Sequence, residues 1–268
     1  MGFFSSRQFK DGPGVEKDAP RKKGINRFFE VVSRDLSSLF LANLLTCIGF
    51  VPFVVLALGG FLTGSLPMML GGAAVSGILA GPALAGMYDT VLRALRDEPG
   101  YWWSTYRRAF KQNFKASILP GVLTCIVVVS QIYLVTVCLI SRSDGTSHTA
   151  LLIATVLNLA LFHMLFSYMW PQIVLLDLPF RLVLKNSLAC MLSFFPRALA
   201  AAAVMVVFWG LLIASMPGSL FLVLLFGFWL PCLICNQITY NDINRLFHIE
   251  ENIQKLHEAQ WSGDTPEE

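Results

Sequence analysis

The chain has 268 residues, of which 55% are apolar and only 14% are charged. Soluble domains carry about 25% charged residues, so this composition excludes an ordinary soluble enzyme and indicates a chain surrounded mainly by lipid. The net charge of +3 is small, and the distribution of the charges is more informative than their sum. At about 20 residues per crossing, the apolar tracts predict an all-α polytopic membrane protein with six transmembrane helices and amphipathic interfacial helices.

The chain begins with a polar segment, residues 1–23, which holds Gly, Pro, Lys, Asp and Arg and little apolar surface. This composition predicts a disordered cytoplasmic tail and shows no apolar core or cleavage site of a removable signal peptide. Apolar side chains then recur at helical spacing, with polar residues on the other face. They are Ile25, Phe28, Phe29, Val32 and Leu36. The pattern predicts an amphipathic helix that lies along the membrane interface before the first span.

Six apolar tracts follow, each long enough to cross a bilayer. They lie at residues 39–62, 68–95, 117–140, 150–171, 198–216 and 220–240. We therefore predict a six-helix transmembrane domain over residues 24–240, with a mixed polar and apolar stretch at 177–197. Residues 241–268 predict a cytoplasmic tail that contains a short amphipathic helix.

Small residues stand four apart in the second tract, at Ala73, Gly77, Gly81 and Ala85. Such a ladder lets the backbone of another helix approach closely. We interpret it as a helix-packing surface. A substrate path past the glycines is the alternative.

The basic residues indicate how the chain is oriented. Of the 20 Lys and Arg residues, Arg142 alone falls in a loop on one side of the six predicted spans, and the others fall on the opposite side. Because cytoplasmic loops carry the excess of Lys and Arg, both termini are predicted to be cytoplasmic. A chain with five spans is the alternative, and it would place the C-terminal tail outside.

A basic, aromatic segment separates the second and third tracts. On a helix, Trp103, Tyr106, Phe110 and Phe114 would form one stripe, with cations opposite and at its border. Aromatic rings beside cations favour an anionic leaflet, and docking of another cytoplasmic protein is the alternative. Bilayer anchoring already explains this pattern, so we predict no nucleic-acid partner. The candidate lipid or partner surface is formed by Trp102, Trp103, Arg107, Arg108, Lys111 and Lys115.

We single out three polar side chains inside predicted spans, because a polar group in lipid needs a partner. Gln131 and Asn158 fall at similar depth, which predicts a hydrogen bond between the third and fourth spans; a solute site is the alternative. We expect His163, near mid-depth, to be neutral and to share a proton with a backbone carbonyl or a hydroxyl. A carboxylate-driven transporter is disfavoured because no Asp or Glu occupies the centre of a span.

The remaining polar motifs suggest structural roles. Charged residues close the second span, where Asp89–Arg93 and Arg93–Asp97 are predicted to form solvated ion pairs, and Asp242 lies in a similar group after the last span. Cys232 and Cys235 form a CxxC motif that we interpret as two packed thiols. The sequence contains no Walker lysine motif, GxSxG, HExxH or nucleotide fingerprint. We therefore predict no catalytic residue, no metal site and no cofactor.

Three motifs resemble the YesL family of bacterial membrane proteins. They are Gly-Ile-Asn-Arg-Phe-Phe-Glu at 24–30, Gly-Pro-Ala-Leu at 81–84 followed by Arg93 and by Arg-Asp-Glu at 96–98, and Phe-Lys-Gln-Asn-Phe-Lys at 110–115. Members of that family often occur beside genes of carbohydrate ABC transporters. The resemblance implies a bacterial cell-membrane protein with an accessory or scaffold part in carbohydrate uptake, and ABC transporter subunits as partners. It transfers no catalytic residues, and residues 1–23 look like an addition to the family pattern.

A second function remains open at this point. A small-solute transporter or channel would use an intramembrane polar cleft around Gln131, Asn158 and His163.

Overall fold

The computed structural model describes residues 21–98, 100–143, 149–215 and 217–262. Within these ranges the regular structure is entirely helical, which confirms the all-α prediction. The helices are α1 (Ile25–Leu62), α2 (Leu66–Arg96), α3 (Trp102–Gln112), α4 (Phe114–Ser143), α5 (Thr149–Leu175), α6 (Phe180–Ser193), α7 (Phe195–Ala214), α8 (Leu220–Phe226), α9 (Trp229–Phe247) and α10 (Ile249–Ser262). Most of the predicted disordered tail, residues 1–20, lies outside the described residues, as do residues 263–268.

Five of these helices are long and apolar enough to cross a membrane: α1, α2, α4, α5 and α7. A sixth crossing exists if α8 and α9 together form one span, because the pair is broken and bent by 48°. The chain is therefore a multi-pass membrane protein with five or six spans. The sixth span predicted over residues 220–240 corresponds to this bent pair, in which a turn at Gly227 and Phe228 separates the two helices.

The interfacial helix predicted before the first span is not a separate element. Residues 25–36 and the first span form one continuous helix of 38 residues, about 57 Å long at 1.5 Å per residue. That length exceeds the hydrocarbon core of about 30 Å. The first turns of α1 instead join the bundle, where Val31 is fully buried while Ile25 and Phe29 stay exposed. No Gly or Pro interrupts residues 31–47, so nothing in the sequence ends the helix before the span begins.

Helix α2 is the centre of the fold and packs against α1, α3, α4, α5 and α9. Its small residues face α4 so closely that a Cβ on Gly81 would overlap the Ser117 carbonyl oxygen, and one on Gly121 would lie 2.5 Å from the Gly77 oxygen. Ala73 is fully buried on the same side. The interpretation of the ladder as a helix-packing surface is confirmed.

The second half of the chain forms its own packed cluster from α5, α6, α7, α9 and α10. Met164, Tyr168, Ala198 and Ile243 are buried in it. Helix α6 occupies the mixed stretch predicted at 177–197 and packs on α5. Helix α10 corresponds to the amphipathic helix predicted in the C-terminal tail. The two halves meet along α2, which contacts both α5 and α9.

Candidate functional site

Ionised side chains from both halves of the chain gather at one end of the bundle, which we call the polar end. It comprises the beginnings of α1 and α7, the ends of α2 and α9, and helices α3 and α10. Residues from these elements contact one another directly: α1 reaches the end of α2, and Arg197 of α7 pairs with Asp242 of α9. Ion pairs thus join the beginning of α1 to the end of α2, and the beginning of α7 to α9.

Asp97 holds the beginning of α1 against the end of α2. Its carboxylate accepts hydrogen bonds from Arg21 Nε at 3.0 Å, from Arg27 Nη2 at 2.7 Å and from Arg34 Nη1. Arg27 also donates to the Leu95 carbonyl at 2.7 Å. The arginines therefore neutralise Asp97 and satisfy carbonyl groups that the end of a helix leaves free.

The same contacts change the acidity of Asp97. Partial burial opposes ionisation, but the hydrogen bonds from Arg27 and Arg34 outweigh it and lower the pKa of the carboxyl group. The predicted Asp89–Arg93 pair is present at 2.8 Å, but it is not solvated as predicted, since the Asp89 side chain is only 11% exposed. The predicted Arg93–Asp97 pair is wrong, because Arg93 turns to Glu98 at 3.1 Å while the α1 arginines occupy Asp97.

Asp242 forms a second anchor, between α5, α7 and α9. Its side chain is 1% exposed, accepts a hydrogen bond from Tyr168 Oη at 3.0 Å and pairs with Arg197. The expectation that Asp242 is solvated at a span end is therefore wrong. Tyr168 carried the signal that was missed, since a buried tyrosine near the end of an apolar span needs a partner for its hydroxyl.

Helix α3 is mounted on α2 through Tyr106. The hydroxyl of Tyr106 donates to the Ala83 carbonyl at 3.2 Å, and its ring lies so close to Gly86 that an added Cβ there would be 2.7 Å from the ring. Trp103 and Phe114 are exposed, by 43% and 37%. The single aromatic stripe predicted for this segment is therefore wrong, because Tyr106 points into the bundle while Trp103 and Phe114 point out.

The candidate surface on α3 and the start of α4 is basic and accessible. Arg107, Arg108, Lys111 and Lys115 are all exposed and take part in no salt bridge among the described residues. Trp102 is half-buried, and its ring lies 5.7 Å from that of the exposed Trp103. The surface thus presents four cations beside an accessible aromatic ring, on a helix that is fixed to the bundle.

The polar residues predicted inside the spans do not form a single cleft. Gln131 Nε2 donates to Asn158 Oδ1 at 2.6 Å, which confirms the hydrogen bond predicted between these two spans. Asn158 is exposed on the outside of the bundle. His163 Nδ1 lies 3.0 Å from the Leu159 carbonyl oxygen, the kind of backbone partner expected for a neutral histidine. The structure brings Gln131 and Asn158 together and leaves His163 with its own helix.

Asn43 of α1, absent from the predicted sites, supports the break between α8 and α9. Its side chain is fully buried. The amide nitrogen donates to the carbonyls of Val223 and Leu224 at 3.2 and 2.7 Å, and the amide oxygen accepts from the backbone nitrogens of Phe228 and Trp229 at 2.7 and 3.3 Å. One side chain thus satisfies the backbone groups that the break frees. An asparagine inside an apolar tract was the available signal.

The described residues contain no group of three or more His, Cys, Asp or Glu side chains placed to hold a metal ion. Cys232 and Cys235 are both buried. Asn236 Nδ2 donates to Cys232 Sγ at 3.2 Å, and Cys235 Sγ donates to the Ala201 carbonyl at 3.3 Å. The two thiols are therefore packed within the helices, as interpreted from the sequence.

Comparison with protein families matches residues 38–134 to a family described as a protein of unknown function, DUF624. The matched part runs from α1 through α2 and α3 into α4, and therefore includes Asn43, Asp97 and the basic surface of α3. Comparison with curated proteins and with solved structures gave no match.

Proposed function

We propose that this protein is an accessory or scaffold component of a carbohydrate ABC importer, and that the basic surface of α3 docks on the importer's subunits. The resemblance to the YesL family supports the link to carbohydrate uptake. Two of its three motifs, at 81–98 and 110–115, lie within residues 38–134, the part matched by the family comparison. The protein itself is proposed to have no catalytic site.

The observation that carries this proposal is the division of cations at the polar end into paired and unpaired sets. Arg27 and Arg34 are committed to Asp97, so they hold the fold together. Arg107 and Lys111 are exposed and unpaired among the described residues. Cations that the fold does not use are available to an acidic partner surface, where charge complementarity determines the association rate and the choice of partner.

Attachment of α3 to the bundle favours docking of a protein over a purely lipid-facing role. An interfacial anchor helix buries its aromatic face in the bilayer, whereas α3 directs Tyr106 into α2 and buries Ala109 at 3% exposure. The helix is thereby held in one position. A rigid surface loses less conformational entropy when a partner binds than a mobile loop does.

The orientation of the chain in the membrane is part of this proposal. With the polar end in the cytoplasm of a bacterial cell, both termini and α3 face the cytoplasmic side of the membrane, where an importer's nucleotide-binding subunits would lie.

Charge reversal on α3 tests the proposal. The variant Arg107→Glu/Arg108→Glu/Lys111→Glu, purified from native membranes under mild conditions, is expected to recover importer subunits at least about tenfold less well than the wild type, because like charges across an interface repel. Recovered subunits are identified and quantified by mass spectrometry.

The matched control is Arg181→Glu/Lys185→Glu, which reverses two exposed cations of α6 and should leave recovery unchanged. Equal recovery of importer subunits with the α3 variant and the wild type would refute docking through α3. Vesicles that contain the purified protein alone should take up no sugar, and uptake by such vesicles would replace the accessory role with that of a transporter.

A further inference from the structure

A groove of about 720 Å³ opens between the beginning of α1 and the middle of α9. Its lining combines two kinds of side chain. The cations are Arg21, Lys22, Lys23 and Arg27. Phe28, Ile234 and Ile238 provide apolar walls, and no Asp or Glu is among the described residues that line the groove. A ligand that fits this lining carries an anionic group and an apolar chain.

The groove lies where the apolar spans meet the polar end. Gln237 of α9 donates to the Gly24 carbonyl at 2.6 Å and so joins the two walls. It precedes Asp242 by five residues, about 7.5 Å along the helix, and Asp242 pairs with Arg197 at the beginning of the α7 span. Ile25 and Phe29, at the rim, are 71% and 61% exposed. Exposed apolar side chains next to cations at this depth suit the headgroup region of a bilayer.

The lining cations are not equally committed to the fold. Arg21 is paired with Asp97 and with Glu250. Lys22 Nζ lies 4.0 Å from a carboxylate oxygen of Glu30, at the limit of an ion pair. Lys23 forms no salt bridge in the part of the chain that the structure describes. The positive charge left over for a ligand therefore resides mainly on Lys22 and Lys23.

We propose that this groove binds one anionic phospholipid, with its phosphate beside Lys22 and Lys23 and an acyl chain along Ile234 and Ile238. The site is separate from the basic surface of α3, and it does not depend on the accessory function. Binding there would bridge α1 and α9, which the Gln237–Gly24 hydrogen bond already connects.

Native mass spectrometry of the full-length protein in detergent tests the proposal. The association constants for added dioleoylphosphatidylglycerol and dioleoylphosphatidylcholine are compared. The wild type should prefer the anionic lipid, and Lys22→Ala/Lys23→Ala should lower that preference about thirtyfold, the effect expected from removing two cations near an anionic lipid. Both lysines are exposed, so the variant should melt at the wild-type temperature when no lipid is added.

The control variant Arg181→Ala/Lys185→Ala removes two exposed cations elsewhere on the chain and should keep the lipid preference. The lipid site would be refuted if Lys22→Ala/Lys23→Ala still preferred the anionic lipid as strongly as the wild type. It would also be refuted if the control variant lost this preference to the same extent as Lys22→Ala/Lys23→Ala. Displacement of the anionic lipid by inorganic phosphate alone would assign the groove to a soluble phosphate and would also overturn it.

Discussion

Substitution of Gly81 by alanine tests whether the close contact between α2 and α4 stabilises the bundle. A Cβ at this position would overlap the Ser117 carbonyl oxygen and lie 3.2 Å from the Gly121 Cα. Both neighbours are backbone atoms, so no side-chain rotation relieves the clash. The two helices must therefore move apart.

The magnitude follows from two opposing terms. Adding a methyl group to a well-packed interior costs about 1–3 kcal/mol, whereas alanine favours the helix over glycine by about 0.8–1.0 kcal/mol. The net expectation is a loss of up to about 2 kcal/mol in the free energy of unfolding. Gly71 of the same helix has no atom within 4 Å of an added Cβ, so Gly71→Ala should leave stability unchanged or raise it.

Reversible unfolding in mixed micelles, followed as the fraction of denaturing detergent is raised, gives this free energy for each variant. Gly121→Ala should also be destabilising, since its Cβ would lie 2.5 Å from the Gly77 oxygen. The double variant Gly81→Ala/Gly121→Ala should lose less than the sum of the two single losses, because both methyl groups enter the same gap. Equal stability of Gly81→Ala and Gly71→Ala would refute the argument that close backbone packing holds α2 and α4 together.

Three further predictions concern single side chains. Asn43→Leu should lower the free energy of unfolding by about 2–3 kcal/mol, since it leaves three backbone groups at the break without a partner: the Leu224 carbonyl and the nitrogens of Phe228 and Trp229. Asn158→Leu removes one hydrogen bond and should cost about 0.6 kcal/mol in the same assay; equal losses would contradict the role given to Asn43. Tyr106→Phe should cost about 1 kcal/mol by removing the bond to the Ala83 carbonyl, and protease should cut the chain near α3 faster than in the wild type; unchanged cleavage would show that this bond does not hold α3. Because the pKa of Asp97 is lowered in the folded state, its stabilising effect is present above the unfolded value of about 3.9 and is lost as the pH falls through the folded value. The difference in the free energy of unfolding between the wild type and Asp97→Asn should therefore be constant near neutral pH and shrink below about pH 4. A difference that grows below pH 4 would show that folding does not lower the pKa of Asp97.

Much of the fold could be predicted from the sequence, because membrane insertion depends on local properties of the chain. An apolar tract of about 20 residues satisfies its own backbone hydrogen bonds only as a helix in lipid. Small residues four positions apart identified Gly77 and Gly81 as part of a helix-packing face. The similar depth of Gln131 and Asn158 in neighbouring spans identified the hydrogen bond between them.

Tertiary structure alone decided which partners Arg27 and Asn43 find. Arg27 reaches Asp97 across 70 residues of sequence, and Asn43 reaches Phe228 across 185. Helical periodicity shows which face of a helix is apolar, but it carries no information about which other helix lies opposite. Tyr106 belongs to an aromatic stripe by spacing, yet it points into α2 because Gly86 leaves room for its ring and the Ala83 carbonyl accepts its hydroxyl. The sequence therefore determined which tracts are long and apolar enough to cross a membrane, whereas long-range packing decided which charges are paired inside the fold and which remain on its surface.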